Sequence, residues 1–111
     1  MYEKTIDDCR KFVEEYNKAF ENGDIRFFFE MNNEMEKRSF TIQDFKIELN
    51  DEIKVKTLLK AENRYIDLEG SPYCPCKIDH TPNNICPCEE CLDEIKEKGV
   101  CCCKMYIKGS D

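Results

Sequence analysis

The amino-acid sequence predicts a small, mainly α single domain, and two observations carry that prediction. The chain has 111 residues, a length that suits one domain and leaves its core modest. Apolar residues recur at helical spacing in two stretches, each bounded by residues that start and stop helices. A third observation sets the character of the domain. Nine residues are cysteine, a density that points to crosslinks or a metal site as added support for a small core.

The elements follow in chain order. Thr5 with Asp8 makes a capping-box pattern, with Asp in place of the usual Glu. Cys9, Phe12, Val13, Tyr16 and Phe20 then share one face, so residues 6–21 read as a helix that Gly23 stops. On that face Cys9 reads as a small buried hydrophobe. Phe27, Phe28 and Phe29 form a short apolar run, and Phe40, Ile42, Phe45, Ile47 and Leu49 alternate with polar residues. That period of two predicts a short strand or hairpin within residues 24–49, its aromatic residues in the core. The Glu34–Arg38 run reads as a solvated face or loop. Asn50 caps a second helix with Asp51 and Glu52 in its first turn. Val55, Leu58, Leu59 and Ile66 give that helix an apolar side, and Gly70 followed by Pro72 ends it. A third, short helix is expected from about Glu89 to Lys98, stopping at Gly99.

Charge and hydropathy exclude several classes. Lysine and arginine number 17 against 24 acidic residues, a formal net charge of −7, and the mean hydropathy is −0.70. Nucleic-acid binding needs a basic surface, so no nucleic-acid partner is expected. No apolar run approaches the roughly 20 residues of a membrane span, so no membrane partner is expected either. The charged N-terminus lacks the apolar segment of a secretory signal. A cytoplasmic location is therefore predicted, where thiols stay reduced and serve as metal ligands or redox groups.

The cysteines divide the chain. Cys9 stands alone in a cysteine-poor part reaching to Gly70, and the other eight fall between residues 74 and 103. They read Cys74-Pro75-Cys76, nine residues, Cys86-Pro87-Cys88, twelve residues, then Cys101-Cys102-Cys103. Each Cys-x-Cys brings two sulfurs to one locality, and a proline between them stiffens the presentation. Six thiols in three such pairs exceed by two the four that a tetrahedral zinc or one iron–sulfur cluster takes, and two is what a redox disulfide requires. Cys91 adds Cys-x-x-Cys spacing after Cys88, open to a ligand or a non-ligand role, and Cys102 leaves the register of the third pair open.

This ordered triple motif resembles the catalytic subunit of ferredoxin:thioredoxin reductase and its archaeal ferredoxin:disulfide reductase relatives. The run Gly70-Ser71-Pro72-Tyr73-Cys74-Pro75-Cys76-Lys77 is similar to the family's first motif, Ile85-Cys86-Pro87-Cys88 to its second, and Cys101-Cys102-Cys103 to its third, which in the family is Cys-His-Cys. The resemblance extends weakly into Phe12-Val13-Glu14-Glu15-Tyr16 and leaves residues 22–48 as an insertion. It implies a fold organised around one [4Fe–4S] cluster held by Cys74, Cys86, Cys88 and Cys101. It also implies an active-site disulfide between Cys76 and Cys103. The implied activity passes electrons from ferredoxin through the cluster to that disulfide and on to thioredoxin or a glutaredoxin-like protein. In the plant enzymes a small partner subunit accompanies the catalytic chain. Lys77 beside Cys76 would favour its thiolate, and His80, the single histidine, would be a proton donor or a solvated loop residue. Lys96, Lys98, Lys104 and Lys108 would steer ferredoxin or form a plain solvated face. The rival expectation is a structural zinc-binding interaction module, closed and redox-silent.

Overall fold

The computed structural model describes residues 3–30 and 37–109. It corrects the mainly α expectation: three α-helices are joined by four strands in two small antiparallel sheets, a mixed α/β arrangement. Helix α1 spans Ile6–Glu21 and its capping box forms as the sequence predicts, the Asp8 amide bonding to Thr5 and the Asp8 carboxylate to the Thr5 amide. Strands β1 (Arg26–Glu30) and β2 (Lys37–Thr41) pair with Phe27 opposite Phe40. Residues 34–36 of the charged run lie outside the described residues; Arg38 of that run is half-buried and faces a cysteine loop.

The strands that tip the fold class away from mainly α are β3 (Ile47–Leu49) and β4 (Tyr106–Lys108). They pair antiparallel, Leu49 opposite Tyr106 and Ile47 opposite Lys108. Their partners lie nearly 60 positions apart, so local periodicity carries no trace of the pairing. Asn17 of α1 completes the small sheet's edge, donating to the Ile47 carbonyl and accepting from the Ile47 amide, both at 2.9 Å.

Helix α2 spans Glu52–Glu69, capped by Asp51 rather than Asn50. Asn50 instead ties the chain to the third cysteine motif, its side chain donating to the Lys104 carbonyl at 2.7 Å. Helix α3 is shorter than expected, Cys91–Lys98. Gly70 and Gly99 end α2 and α3 in the left-handed conformation, at φ 88° and 81°, that side chains disfavour.

The core has an aromatic centre. The fully buried Phe12 ring lies 5.0 to 5.8 Å from the rings of Tyr106, Phe29, Phe40 and Phe27, the spacing at which tilted and edge contacts stabilise. Phe28 points outward, as alternation along β1 requires. Cys9 is buried as expected, in contact with Met105, and burial pushes its thiol up to about 12.

One charged pair lies inside. The Lys4 ammonium donates to Glu62 at 2.8 Å and to the Cys86 carbonyl at 3.1 Å, with both side chains almost wholly buried. Burial opposes the ammonium, but the Cys86, Glu62 and Cys9 side chains outweigh it and hold Lys4 protonated. Among the described residues no helix is long and apolar enough to cross a membrane.

Breaking a buried ion pair from one side strands a charge, whereas removing both charges does not. Lys4→Met is expected to lower unfolding free energy by about 3–5 kcal/mol, and the Lys4→Met, Glu62→Leu double variant to recover most of that loss. Urea unfolding followed by circular dichroism checks both; equal losses in the single and double variants would show that the pair is not what holds this region.

Candidate cysteine site

Backbone pairing brings the first two motifs together. Tyr73 and Ile85 form an antiparallel bridge, the Cys74 amide donates to Asn84 at 2.7 Å, and the Cys86 amide donates to Pro72 at 3.0 Å. A short 3-10 turn, Pro82–Asn84, reverses the chain between them. The Cys86–Pro87 peptide is cis. Arg38 reaches across from β2 and donates to the Ile85 carbonyl at 2.9 Å, to the Pro87 carbonyl at 2.6 Å, and to the Pro82 carbonyl. Thus the 22–48 segment contributes a clamp on the second motif. The period-two pattern held the signal for this: Arg38 shares the strand face of the buried Phe40.

The third motif is a turn leading into β4. The Cys101 amide donates to Tyr106 at 3.0 Å and the Lys104 amide to Cys101 at 2.9 Å. Lys104 takes a left-handed φ of 69° to close it.

Eight clustered cysteines separate into two populations. Cys74, Cys86, Cys88, Cys91, Cys101 and Cys103 are buried free thiols. Cys76 and Cys102 are exposed and disulfide-bonded, 26 positions apart, with Cα atoms 6.2 Å apart. The resemblance implies Cys76–Cys103; the structure instead pairs Cys76 with Cys102. The reason is the turn at residues 101–104, which sends the Cys102 side chain outward and those of Cys101 and Cys103 inward. The exposed disulfide touches the buried set directly: Cys74 Sγ lies 3.4 Å from Cys76 Sγ.

The four ligands implied by the resemblance, Cys74, Cys86, Cys88 and Cys101, all belong to the buried set. Thiol contacts link them. Protons offered by Cys103 and Cys88 hold Cys74 down at about 3, against burial. Cys103 and Cys91 do the same for Cys101, also about 3. The donors move the opposite way. Cys103 is pushed far up by bonds to Cys101, Cys74 and Cys86, Cys88 by its bond to Cys74 and by burial, and Cys91 by its bond to Cys101 and by burial. Cys101 and Cys103 sulfurs are 3.7 Å apart.

As they stand, the thiols bond to one another in a branched network, and no group of three or more His, Cys, Asp or Glu among the described residues is arranged to hold a metal ion. The donor chemistry nevertheless fits a cluster: soft sulfur ligands, buried, converging from three loops, with more thiols than four positions require.

Three carboxylate contacts frame the site. Glu94 on α3 accepts from the Lys77 ammonium and from the Cys102 amide, each at 2.9 Å, and lies 4.0 Å from Cys88 Sγ. Lys77 also reaches Glu90 at 3.4 Å, and the Glu94 bond raises its pKa. The Lys77 ammonium is thus committed to carboxylates. Sequence reasoning missed Glu94, whose spacing from the cysteines forms no motif. His80 sits away from the thiols, its Nδ1 2.7 Å from Glu69 and its ring stacked on Tyr73. It fastens the first motif to the end of α2. Lys96, Lys98, Lys104 and Lys108 are exposed. A cavity of about 200 Å³ between β2 and α3, lined by Arg26, Gln43 and Glu89 among others, contains no cysteine.

No protein-family description and no curated protein matches this chain.

The division into exposed and buried thiols has a direct chemical readout. Under mild reduction without denaturant, Cys76 and Cys102 should alkylate first and the buried six later. Peptide mass spectrometry of the oxidised protein should recover the Cys76–Cys102 link, and it should survive Cys103→Ser but not Cys102→Ser. Recovery of a Cys76–Cys103 link in the unsubstituted chain would reverse the assignment.

Proposed function

We propose that this chain is an iron–sulfur disulfide reductase, taking electrons from ferredoxin and reducing thioredoxin or a glutaredoxin-like protein. The observation that carries the reading is the contact between an exposed disulfide and a buried set of thiols, Cys76 Sγ against Cys74 Sγ at 3.4 Å. A surface disulfide can meet a protein substrate; a buried sulfur set can hold a cofactor away from water. The ordered motifs point to the same chemistry.

In this reading Cys74, Cys86, Cys88 and Cys101 hold a [4Fe–4S] cluster, with Cys103 and Cys91 as neighbouring thiols. The cluster, when bound, supplies one-electron chemistry to a group that needs two electrons. The rest is the work of the chain. Cleavage of the Cys76–Cys102 bond consumes two electrons and two protons and leaves two thiols at the surface. The Cys76 thiolate attacks the substrate disulfide, forming a mixed disulfide and releasing one substrate thiol. Cys102 then attacks Cys76, reforming the Cys76–Cys102 bond and releasing the second. Cys76 takes the attacking role from the resemblance, and Cys102 takes the resolving role from its place in the disulfide. Burial of the inner sulfurs keeps them out of this exchange, because a protein disulfide at the surface cannot reach them. The exposed lysines 96, 98 and 104 lie on α3 and the third motif, where a basic surface would steer an acidic electron donor.

Anaerobically purified protein should contain about four iron and four acid-labile sulfide per chain and support ferredoxin-dependent reduction of thioredoxin. Cys76→Ser should abolish that reduction and leave iron and sulfide in place. Stoichiometric zinc without sulfide, persisting after anaerobic reconstitution, would replace this reading with the structural zinc module.

A further inference from the structure

Glu94 stands between the two halves of the disulfide, in a position the exchange chemistry above does not use. Its two carboxylate oxygens serve different loops. One accepts the Cys102 backbone N–H at 2.9 Å. The other accepts the Lys77 ammonium at 2.9 Å, and Lys77 follows Cys76 directly. The carboxylate is anchored on α3, the most regular element near the site. Both partners are largely shielded, with side-chain exposures of 17% for Glu94 and 18% for Lys77, so water screens this pair less than a surface pair.

We propose that Glu94 is the positioning residue for the Cys76–Cys102 pair. The inference rests on the proposed function only in taking that pair as the working dithiol. The two cysteines belong to different loops, and cleavage of their bond removes the covalent link between them. The carboxylate bridge remains. It fixes the Cys102 amide and the residue after Cys76 to one side chain, so the two thiols stay within reach of one another in the reduced state. A held dithiol closes more readily than two thiols on independent loops, because less freedom is lost on ring closure. Glu94 therefore favours resolution of the mixed disulfide, the step in which Cys102 must find Cys76.

The readout is the thiol–disulfide equilibrium of the pair, measured without ferredoxin. Full-length protein, purified anaerobically, is equilibrated at fixed ratios of reduced to oxidised dithiothreitol. One dithiothreitol thiolate opens the Cys76–Cys102 bond, and its second thiol closes the reagent to its cyclic disulfide, so each opened bond oxidises one reagent molecule. After acid quenching and alkylation, peptide mass spectrometry reports the fraction oxidised at Cys76 and Cys102. Glu94→Ala should lower the equilibrium constant for closure by about tenfold, the scale of one charge-assisted hydrogen bond. Glu94→Gln, whose amide oxygen still accepts from the Cys102 N–H, should lose less. Lys77→Met combined with Glu94→Ala should lose no more than Glu94→Ala alone, because both act through one bridge. Glu97→Ala, an exposed acid on the same helix, should change nothing.

An unchanged equilibrium in Glu94→Ala, or a fall matched by Glu97→Ala, overturns the proposal. If Glu94→Ala fails to fold, Glu94→Gln and Lys77→Met decide it, and an unmoved equilibrium in both overturns it. A shifted equilibrium in a protein that never reduces thioredoxin supports the bridge while removing the reductase reading. A working reductase with an unmoved equilibrium does the opposite.

Discussion

A chain this small has few buried positions, and among the described residues it gives seven of them to free cysteines in one contiguous core, six of these from the cysteine-rich part. That constraint shapes the rest. A thiol fills less volume than a leucine or phenylalanine side chain and contributes less apolar area, so burial of the cysteine half alone returns little stability. The aromatic centre around Phe12 carries the hydrophobic load on one side, with Tyr106 reaching over from the cysteine side. The motif loops are then held by polar devices as well as by packing: Arg38 on three carbonyls, Asn50 on Lys104, and Lys4 on the Cys86 carbonyl. Each gives a loop carbonyl a side-chain donor, and the Pro82 carbonyl accepts the Ile85 amide as well.

The same constraint explains the partition between exposed and buried cysteines. A strand or helix would place alternating or recurring residues on one face, but a tight turn can send neighbours in opposite directions. The third motif does so with three consecutive cysteines, two inward and one outward. The first motif does it with a proline between Cys74, which is buried, and Cys76, which is not. Two outward sulfurs from separate loops meet at the surface, and each sits one or two residues from an inward sulfur. Under the proposed function these short covalent paths between outer and inner sulfurs would serve electron relay.

The sequence was informative wherever the physics is local. The α1 capping box, the apolar face through Phe12 and Tyr16, and the stops at Gly70 and Gly99 depend on neighbours within a few positions, and all stand in the structure. The alternation over residues 40–49 correctly announced strand geometry, but it could not announce the partner. Strand β4 is three residues long, and its pairing with β3 joins distant parts of the chain, which is why a mainly α fold was expected from a mixed one. The pairing of the sulfurs differs from the implied one for a related reason. The spacing left the register of the third pair open and the resemblance implied Cys103, whereas the side-chain directions set by the turn that Lys104 closes bring Cys102 to Cys76. Alternation put Arg38 on the face of Phe40 but could not show the carbonyls it grips, and Glu94 left no pattern at all, because a clamp is defined by what it reaches across space.

The charges around the thiols complete the argument. Two ammonium groups approach the set, Lys4 from the inner side and Lys77 from the outer, and each already has a carboxylate partner, Glu62 and Glu94 respectively. Each pair is therefore close to neutral and offers little net positive field to a thiolate. Negative charge that develops on the inner sulfurs is answered by hydrogen bonds from neighbouring thiols, and those neighbours must keep their protons to do so. Such a network can hold only part of its sulfurs ionised. A cationic group bound through sulfur would let four thiols ionise together and would take over the compensation that protons supply between them. Under the proposed function the chain thus builds the ligand set and keeps its own cations paired with carboxylates, and a cluster, when bound, would offset part of the charge of the four thiolates that hold it.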